Sequence, residues 1–100
     1  FIDYNRMQID GYTDEINSLE PLPDKYKAFN LNTIRVDGHD ISAIDDAISQ
    51  AKAAKGKCTM IILDTVKGHG VPWAEDKGVG SHSFAISEQQ WREFCGKEND

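Results

Sequence analysis

Residues 32–66 constrain the fold more than any other stretch, because they read as a strand, a helix and a second strand. The first strand, Asn32-Thr33-Ile34-Arg35-Val36, stops at Asp37-Gly38, where glycine permits a turn that a β-branched residue resists. Asp40 is placed to cap a helix running through about Lys55. Ile41, Ile44, Ile48 and Ala51 make one apolar stripe on it. Asp45 and Asp46 near its start suit the helix dipole, and Lys52, Lys55 and Gly56 close it. The next run, Cys58-Thr59-Met60-Ile61-Ile62-Leu63, is apolar at successive positions, which predicts a strand covered on both faces. Strands joined by such a crossover are parallel, and the crossover is right-handed in almost every known case. The expected fold class is therefore α/β, a parallel sheet flanked by helices.

The surrounding chain fits that frame. Phe1-Ile2-Asp3-Tyr4 reads as a strand entered from its middle, so further sheet is expected upstream. One hundred residues amount to about one small domain, burying roughly 60–65% of its unfolded surface, a modest core in which a missing strand matters. Leu22, Tyr26 and Phe29 recur at helical spacing in a short helix that Asn30 ends. Ser87-Glu88-Gln89-Gln90 is a capping box opening a final helix to about Cys95, with Ile86 placed to staple against Trp91. Between Lys67 and Ala85 lie four glycines, Pro72 and two of the three histidines. A loop this long, directly after the C-terminal end of a parallel strand, occupies the edge where open α/β sheets bind ligands. The polar groups of residues 3–11 emerge at the same edge, so two loops are expected to share one rim.

Charge and composition narrow the partners. Seventeen acidic and eleven basic residues leave a net charge of −6, which opposes nucleic-acid and anionic-membrane binding. No apolar run approaches the roughly 20 residues needed to cross a bilayer. Cys58 and Cys95 are too few and too far apart for a disulfide scaffold or a paired-cysteine metal site. A soluble, cytoplasmic chain is expected.

Several side chains on the two loops are suited to chemistry. The amide oxygen of Asn5 and the backbone carbonyl of Met7 can point at one hard cation such as Mg²⁺, although Asn5 alone also reads as a turn former at a strand end. Lys67, in Thr65-Val66-Lys67-Gly68-His69-Gly70, can reach a phosphate or stay solvated. Gly68-x-Gly70 lacks the third glycine of the dinucleotide fingerprint, and Lys67 precedes its glycines, so neither that pattern nor the P-loop is met. His69 and His82 lack the spacing of a zinc site, yet either can donate to a phosphate or move a proton near neutral pH. His39, between Gly38 and Asp40, reads as structural. Asp3, Asp10, Asp14 and Glu15 read as solvated or capping residues.

Taken together, Asp-Tyr-Asn-Arg-Met-Gln-Ile-Asp-Gly at 3–11, Val-Asp-Gly-His-Asp at 36–40 and Thr-Val-Lys-Gly-His-Gly at 65–70 closely resemble transketolases. The likeness runs from about Asp3 to Cys95, and the most specific element is Asn5-x-x-Gln8-Ile9-Asp10-Gly11. It corresponds to the latter part of the thiamine-diphosphate-binding domain, found in the N-terminal half of full-length enzymes and in the N-terminal subunit of split ones. The resemblance implies a fragment of a thiamine-diphosphate-binding fold, with residues 1–100 as the C-terminal portion of one domain whose upstream part is missing. It implies a transferase of the pentose phosphate pathway type, moving a two-carbon ketol unit between sugar phosphates with thiamine diphosphate and Mg²⁺ or Ca²⁺.

On the same resemblance, Asn5 and the Met7 carbonyl hold the metal, Ile9 packs beside the cofactor and Lys67 lies near it. His82 stands at the histidine of the family's Trp-His-Gly segment and becomes the catalytic candidate, contacting cofactor phosphate and bound sugar. Ser81 and Ser83 replace its tryptophan and glycine. The implied partner is a pyrimidine-binding domain or C-terminal subunit that supplies the activating glutamate, in a dimer or heterotetramer. The Gly-Asp-Gly motif that completes the metal site is expected upstream, so this stretch alone is expected to be inactive. A non-catalytic assembly module of the same fold is the alternative, as is another thiamine enzyme acting on a different sugar or keto acid.

Overall fold

A computed structural model describes residues 1–96. From the N-terminus, strand β1 (Ile2–Tyr4) leads into a hairpin of β2 (Met7–Gln8) and β3 (Gly11–Tyr12), then a single helical turn α1 (Thr13–Ile16) and α2 (Leu22–Ala28). Strand β4 (Asn32–Asp37), helix α3 (Ile41–Ala53) and strand β5 (Thr59–Asp64) follow. The chain ends with α4 (Pro72–Glu75), a 3₁₀ turn over Gly78–His82 and α5 (Glu88–Cys95).

The sheet order is β1-β5-β4 with both pairings parallel, as the sequence predicts. Register aligns Ile2, Ile62 and Arg35 in one row and Tyr4, Asp64 and Asp37 in another. Alternation along the strands therefore puts Ile2, Tyr4, Met60 and Ile62 on one face, where they pack with Leu22 and Tyr26 of α2. Ile61 points to the other face, beneath α3, whose Ala47 is fully buried. Consecutive Ile61 and Ile62 are both buried, the signature of a strand covered from two sides.

The capping chemistry holds. Asp40 accepts a hydrogen bond from the Ala43 N–H at 3.1 Å. Ser87 and Gln90 form the reciprocal capping box, and Asn30 adopts φ 65° just beyond α2. Four details differ from expectation. Helix α3 ends at Ala53 rather than near Lys55, with Gly56 at φ 76° turning the chain. Ile41 and Phe29 are 77% and 78% exposed; Ile41 opens α3 and Phe29 caps the end of α2. Ile86 and Trp91 both remain more than half exposed, leaving little closure to a hydrophobic staple. The glycine-rich segment after β5 is not a plain loop, since it contains α4 and the 3₁₀ turn.

Gly38 corrects a reason rather than a position. The turn does fall there, but a Cβ at Gly38 would meet Thr65 Cγ2 at 2.5 Å and the Asp64 carbonyl at 3.0 Å. Close approach of the β4–α3 turn to the end of β5 is what demands glycine.

The radius of gyration is 17.0 Å, against about 13 Å for a compact chain of 100 residues. The core is correspondingly small, drawn from Tyr4, Leu22, Ala47, Ile61, Ile62 and Ala74. Among the described residues, no helix is long and apolar enough to cross a membrane.

Candidate functional site

The C-terminal ends of β1 and β5 lie side by side, and both loops leave the sheet there. The Thr65 N–H donates to the Tyr4 carbonyl at 3.3 Å, and the Thr65 hydroxyl donates to Asp3. Asn5 and Lys67 thus follow directly from adjacent strands.

In the first loop, Asn5 Oδ1 accepts from the Met7 N–H at 2.9 Å, an Asx turn that orients the half-buried amide. Arg6, between them, adopts φ 62°, a left-handed conformation costing a non-glycine residue roughly 1–2 kcal/mol. Its carbonyl accepts from the Thr13 N–H at 2.9 Å and the Thr13 hydroxyl at 3.2 Å. Its guanidinium lies 5.3 Å from the Tyr4 ring centroid and 3.7 Å from Asp64. Nothing in residue type announces this conformation; the surrounding contacts impose it. Ile9, at the hairpin turn, is 64% exposed.

In the second loop, Gly68 at φ 78° and Gly70 at φ 84° reverse the chain after Lys67. The hairpin of the first loop lies beside the 3₁₀ turn of the second. The Tyr12 hydroxyl stands 2.8 Å from where a Cβ at Gly78 would be, and Gly78 has φ 53°. Residues 7–12 and 78–82 are therefore neighbours. His82 ends that turn and is exposed, while Lys67 is half-buried. Among the described residues, neither side chain has a hydrogen-bond or ion-pair partner.

A charged cluster braces the rim from beneath. Arg35 donates to both Asp64 carboxylate oxygens, Nε and Nη2 each at 2.7 Å, and through Nη1 to Glu20 at 2.8 Å. Its guanidinium also lies 5.2 Å from the Tyr4 ring centroid. The Arg35 bonds hold the Asp64 carboxyl below the usual range. The Leu22 N–H, and then Arg35, do the same for Glu20. Burial pushes the Tyr4 hydroxyl up. Among the described residues that hydroxyl has no hydrogen-bond partner. An arginine set between Ile34 and Val36 in β4 was the sequence signal for this cluster.

These groups suit an anionic ligand and part of a cation site. Mg²⁺ takes six oxygens in near-octahedral array. Asn5 Oδ1 keeps one lone-pair direction after accepting from Met7, and with the Met7 carbonyl it offers two neutral oxygens. Among the described residues, no three His, Cys, Asp or Glu side chains gather to complete a shell. Two oxygens amount to a partial shell at most, so a cation held here would need its remaining ligands from outside the described residues. Lys67 and His82 supply donors suited to phosphate. A cavity of about 420 Å³ lies at the opposite end of β5, lined by Phe1, Ile48, Ala51, Thr59 and Ile61 with Lys52 and Lys57. It lacks the convergent polar groups of a reactive site.

Comparison with known proteins agrees with the fold. Residues 1–97 match the family described as transketolase, thiamine diphosphate binding domain. The chain is 50% identical over 92 residues to the 6-deoxy-6-sulfo-D-fructose transketolase subunit of Clostridium sp. (strain MSTE9), covering 92% of this chain and 33% of that protein. It is 40% identical over 74 residues to transketolase-like protein 2 of Bos taurus, covering 74% and 12% respectively. It is 32% identical over 88 residues to an apulose-4-phosphate transketolase subunit of Phocaeicola vulgatus, covering 88% and 31%. The chain spans about a third of the length of the two subunits.

Proposed function

This chain belongs to the family of transketolase thiamine diphosphate binding domains, and from that premise we propose that it is one portion of an enzyme transferring a two-carbon ketol unit between anionic sugars. The observation that carries this reading is the meeting of the two loops. The hairpin that follows Asn5 and the turn that ends at His82 lie against each other through Tyr12 and Gly78, at the ligand-binding end of a parallel sheet.

Thiamine diphosphate, when bound, supplies the carbanion chemistry of the transfer. The chain's own residues then have distinct tasks. Asn5 and the Met7 carbonyl contribute two oxygens to the divalent cation, Mg²⁺ or Ca²⁺, that neutralises the diphosphate. Arg6 keeps those two oxygens on one side of the chain by holding its left-handed backbone. Lys67 donates toward phosphate, and Ile9 offers an apolar surface beside the cofactor. His82 donates to phosphate or to a sugar hydroxyl. Relatives named for a sulfonated fructose and for a phosphorylated sugar support a substrate carrying a terminal anion. Because the chain's own oxygens complete only part of a cation shell, the stretch is inactive alone. It works with further thiamine-domain sequence and with a pyrimidine-binding domain or C-terminal subunit, in a dimer or heterotetramer.

The test is thiamine diphosphate affinity measured across Mg²⁺ concentrations in the complete assembled enzyme, comparing Asn5→Ala with the parent. Affinity falls by about tenfold or more at limiting Mg²⁺, since even an outer partner of a metal ligand is worth 10–100-fold, and recovers as Mg²⁺ rises. Unchanged affinity at every concentration removes Asn5 from the metal site.

A further inference from the structure

His39 and His69 are 30 residues apart in sequence yet stack face to face at the rim, with ring centroids 3.6 Å apart and planes 22° from parallel. His39 belongs to the β4–α3 turn and His69 to the loop after β5. The Val66 N–H donates to His39 Nε2 at 2.8 Å. An imidazole nitrogen accepts only when it carries no proton, so this bond requires neutral His39 with its proton on Nδ1. His69 Nδ1 lies 3.4 Å from Glu75 Oε1, and the same oxygen accepts from the Gly70 N–H at 2.8 Å. One ring thus grips the loop's backbone from the turn, while α4 anchors the other.

We propose that the stacked His39–His69 pair is a latch that fastens the loop carrying Lys67 to the β4–α3 turn and releases it when His39 is protonated. Both histidines are positioning residues. Protonation at Nε2 removes the acceptor for Val66 and sets one N–H against another. The latch is therefore closed while His39 Nε2 is free to accept and opens once acid protonates it.

Other charges at this junction do not replace the switch. Asp37 accepts from the His39 backbone N–H, Asp40 from Ala43 and Asp3 from Thr65. Asp64 is engaged by Arg35. Glu75 is the carboxylate that addresses a ring, and it addresses His69. Lys67 forms no ion pair among the described residues, and Lys77 lies over the Phe84 ring. The consequence for cofactor affinity rests on the role proposed for Lys67, whereas the latch itself does not.

The test is hydrogen–deuterium exchange of the segment spanning Val66, corrected for intrinsic rates, in the assembled protein at about pH 7.5 and at about pH 5.5. Two variants separate acceptor from titration. His39→Gln keeps an oxygen that can accept from Val66 but does not titrate; His39→Ala loses both. Parent protection falls roughly fivefold on acidification, the equivalent of one net hydrogen bond. His39→Gln stays protected at both pH values, and His39→Ala is unprotected at both while α3 amides remain protected. Parent protection that ignores pH, or a His39→Gln variant that tracks the parent's pH dependence, overturns the latch. If the latch opens on acidification while thiamine diphosphate affinity stays constant, the latch stands and the Lys67 assignment falls.

Discussion

The framework of residues 32–64 and the rim built from residues 5–12 and 65–82 obey different rules. In the framework, position follows from repeating patterns: β4 and β5 pair along their whole length, and α3 starts where Asp40 caps it. At the rim, position follows from single residues in unusual conformations, Arg6, Gly68, Gly70 and Gly78, each fixed by a neighbour distant in sequence or by a local turn. The framework is held by burial and the rim by directed polar contacts. Substitutions should therefore separate the two.

The largest effect is expected at the centre of the framework. Ile62, with no exposed surface on the central strand, should cost about 3 kcal/mol when changed to alanine, the usual loss for a buried isoleucine. Denaturant unfolding of Ile62→Ala measures it. A change well under about 1 kcal/mol, less than a buried isoleucine ordinarily loses, would mean that the central strand is not the core. Next comes Gly38, where framework and rim touch. Gly38→Ala pushes a methyl into Thr65 and the Asp64 carbonyl, and overpacking of this kind costs about 2 kcal/mol. Because Thr65 also binds Asp3, amide shifts should reach β1 and the start of the rim, which mapping by NMR would reveal. Asp40→Ala removes one cap and should cost about 1 kcal/mol, with fraying confined to the first turn of α3.

The smallest effect is a pH dependence at the Arg35 cluster. Asp64 and Glu20 titrate below the ordinary carboxylate range in the folded state. Their stabilisation is complete above the unfolded carboxyl values near about 4 and is lost as pH falls through the lower folded values. Arg35→Met should flatten the acid limb of the stability curve, more through Asp64 than Glu20, because Glu20 keeps its bond from the Leu22 N–H. Acid unfolding profiles of the two proteins make the comparison. Identical limbs would show that the clamp contributes nothing.

The same division explains how much could be read before the fold was known. Parallel order, the crossover, the Asp40 cap and the Ser87 capping box are written in local sequence, since each depends on residues a few positions apart. Periodicity marked Ile41 and Phe29 as apolar-face residues but could not show that each, at a helix terminus, stays exposed. Turn chemistry placed Gly38 correctly, while its reason required knowing that Thr65 passes over it. At the site, the Asn5 to Met7 spacing was legible because an Asx turn is local. The left-handed Arg6, the seat of Tyr12 on Gly78 and the His39–His69 stack were not, because each exists only once distant segments meet. His39 was read as structural from its place in a turn, and its bond from Val66 gives that reading a partner.

On the proposed function, the segments around residues 5–8 and 78–82 face one metal-bound diphosphate. Mn²⁺ substituted for Mg²⁺ in the full-length, partner-bound protein with thiamine diphosphate tests it most directly, by distance-dependent broadening of nuclear resonances. Signals of Asn5, Met7 and His82 should broaden together while those of Ala51 and Thr59, at the far end of β5, stay sharp. Broadening that spares either residues 5–8 or His82 would contradict the account.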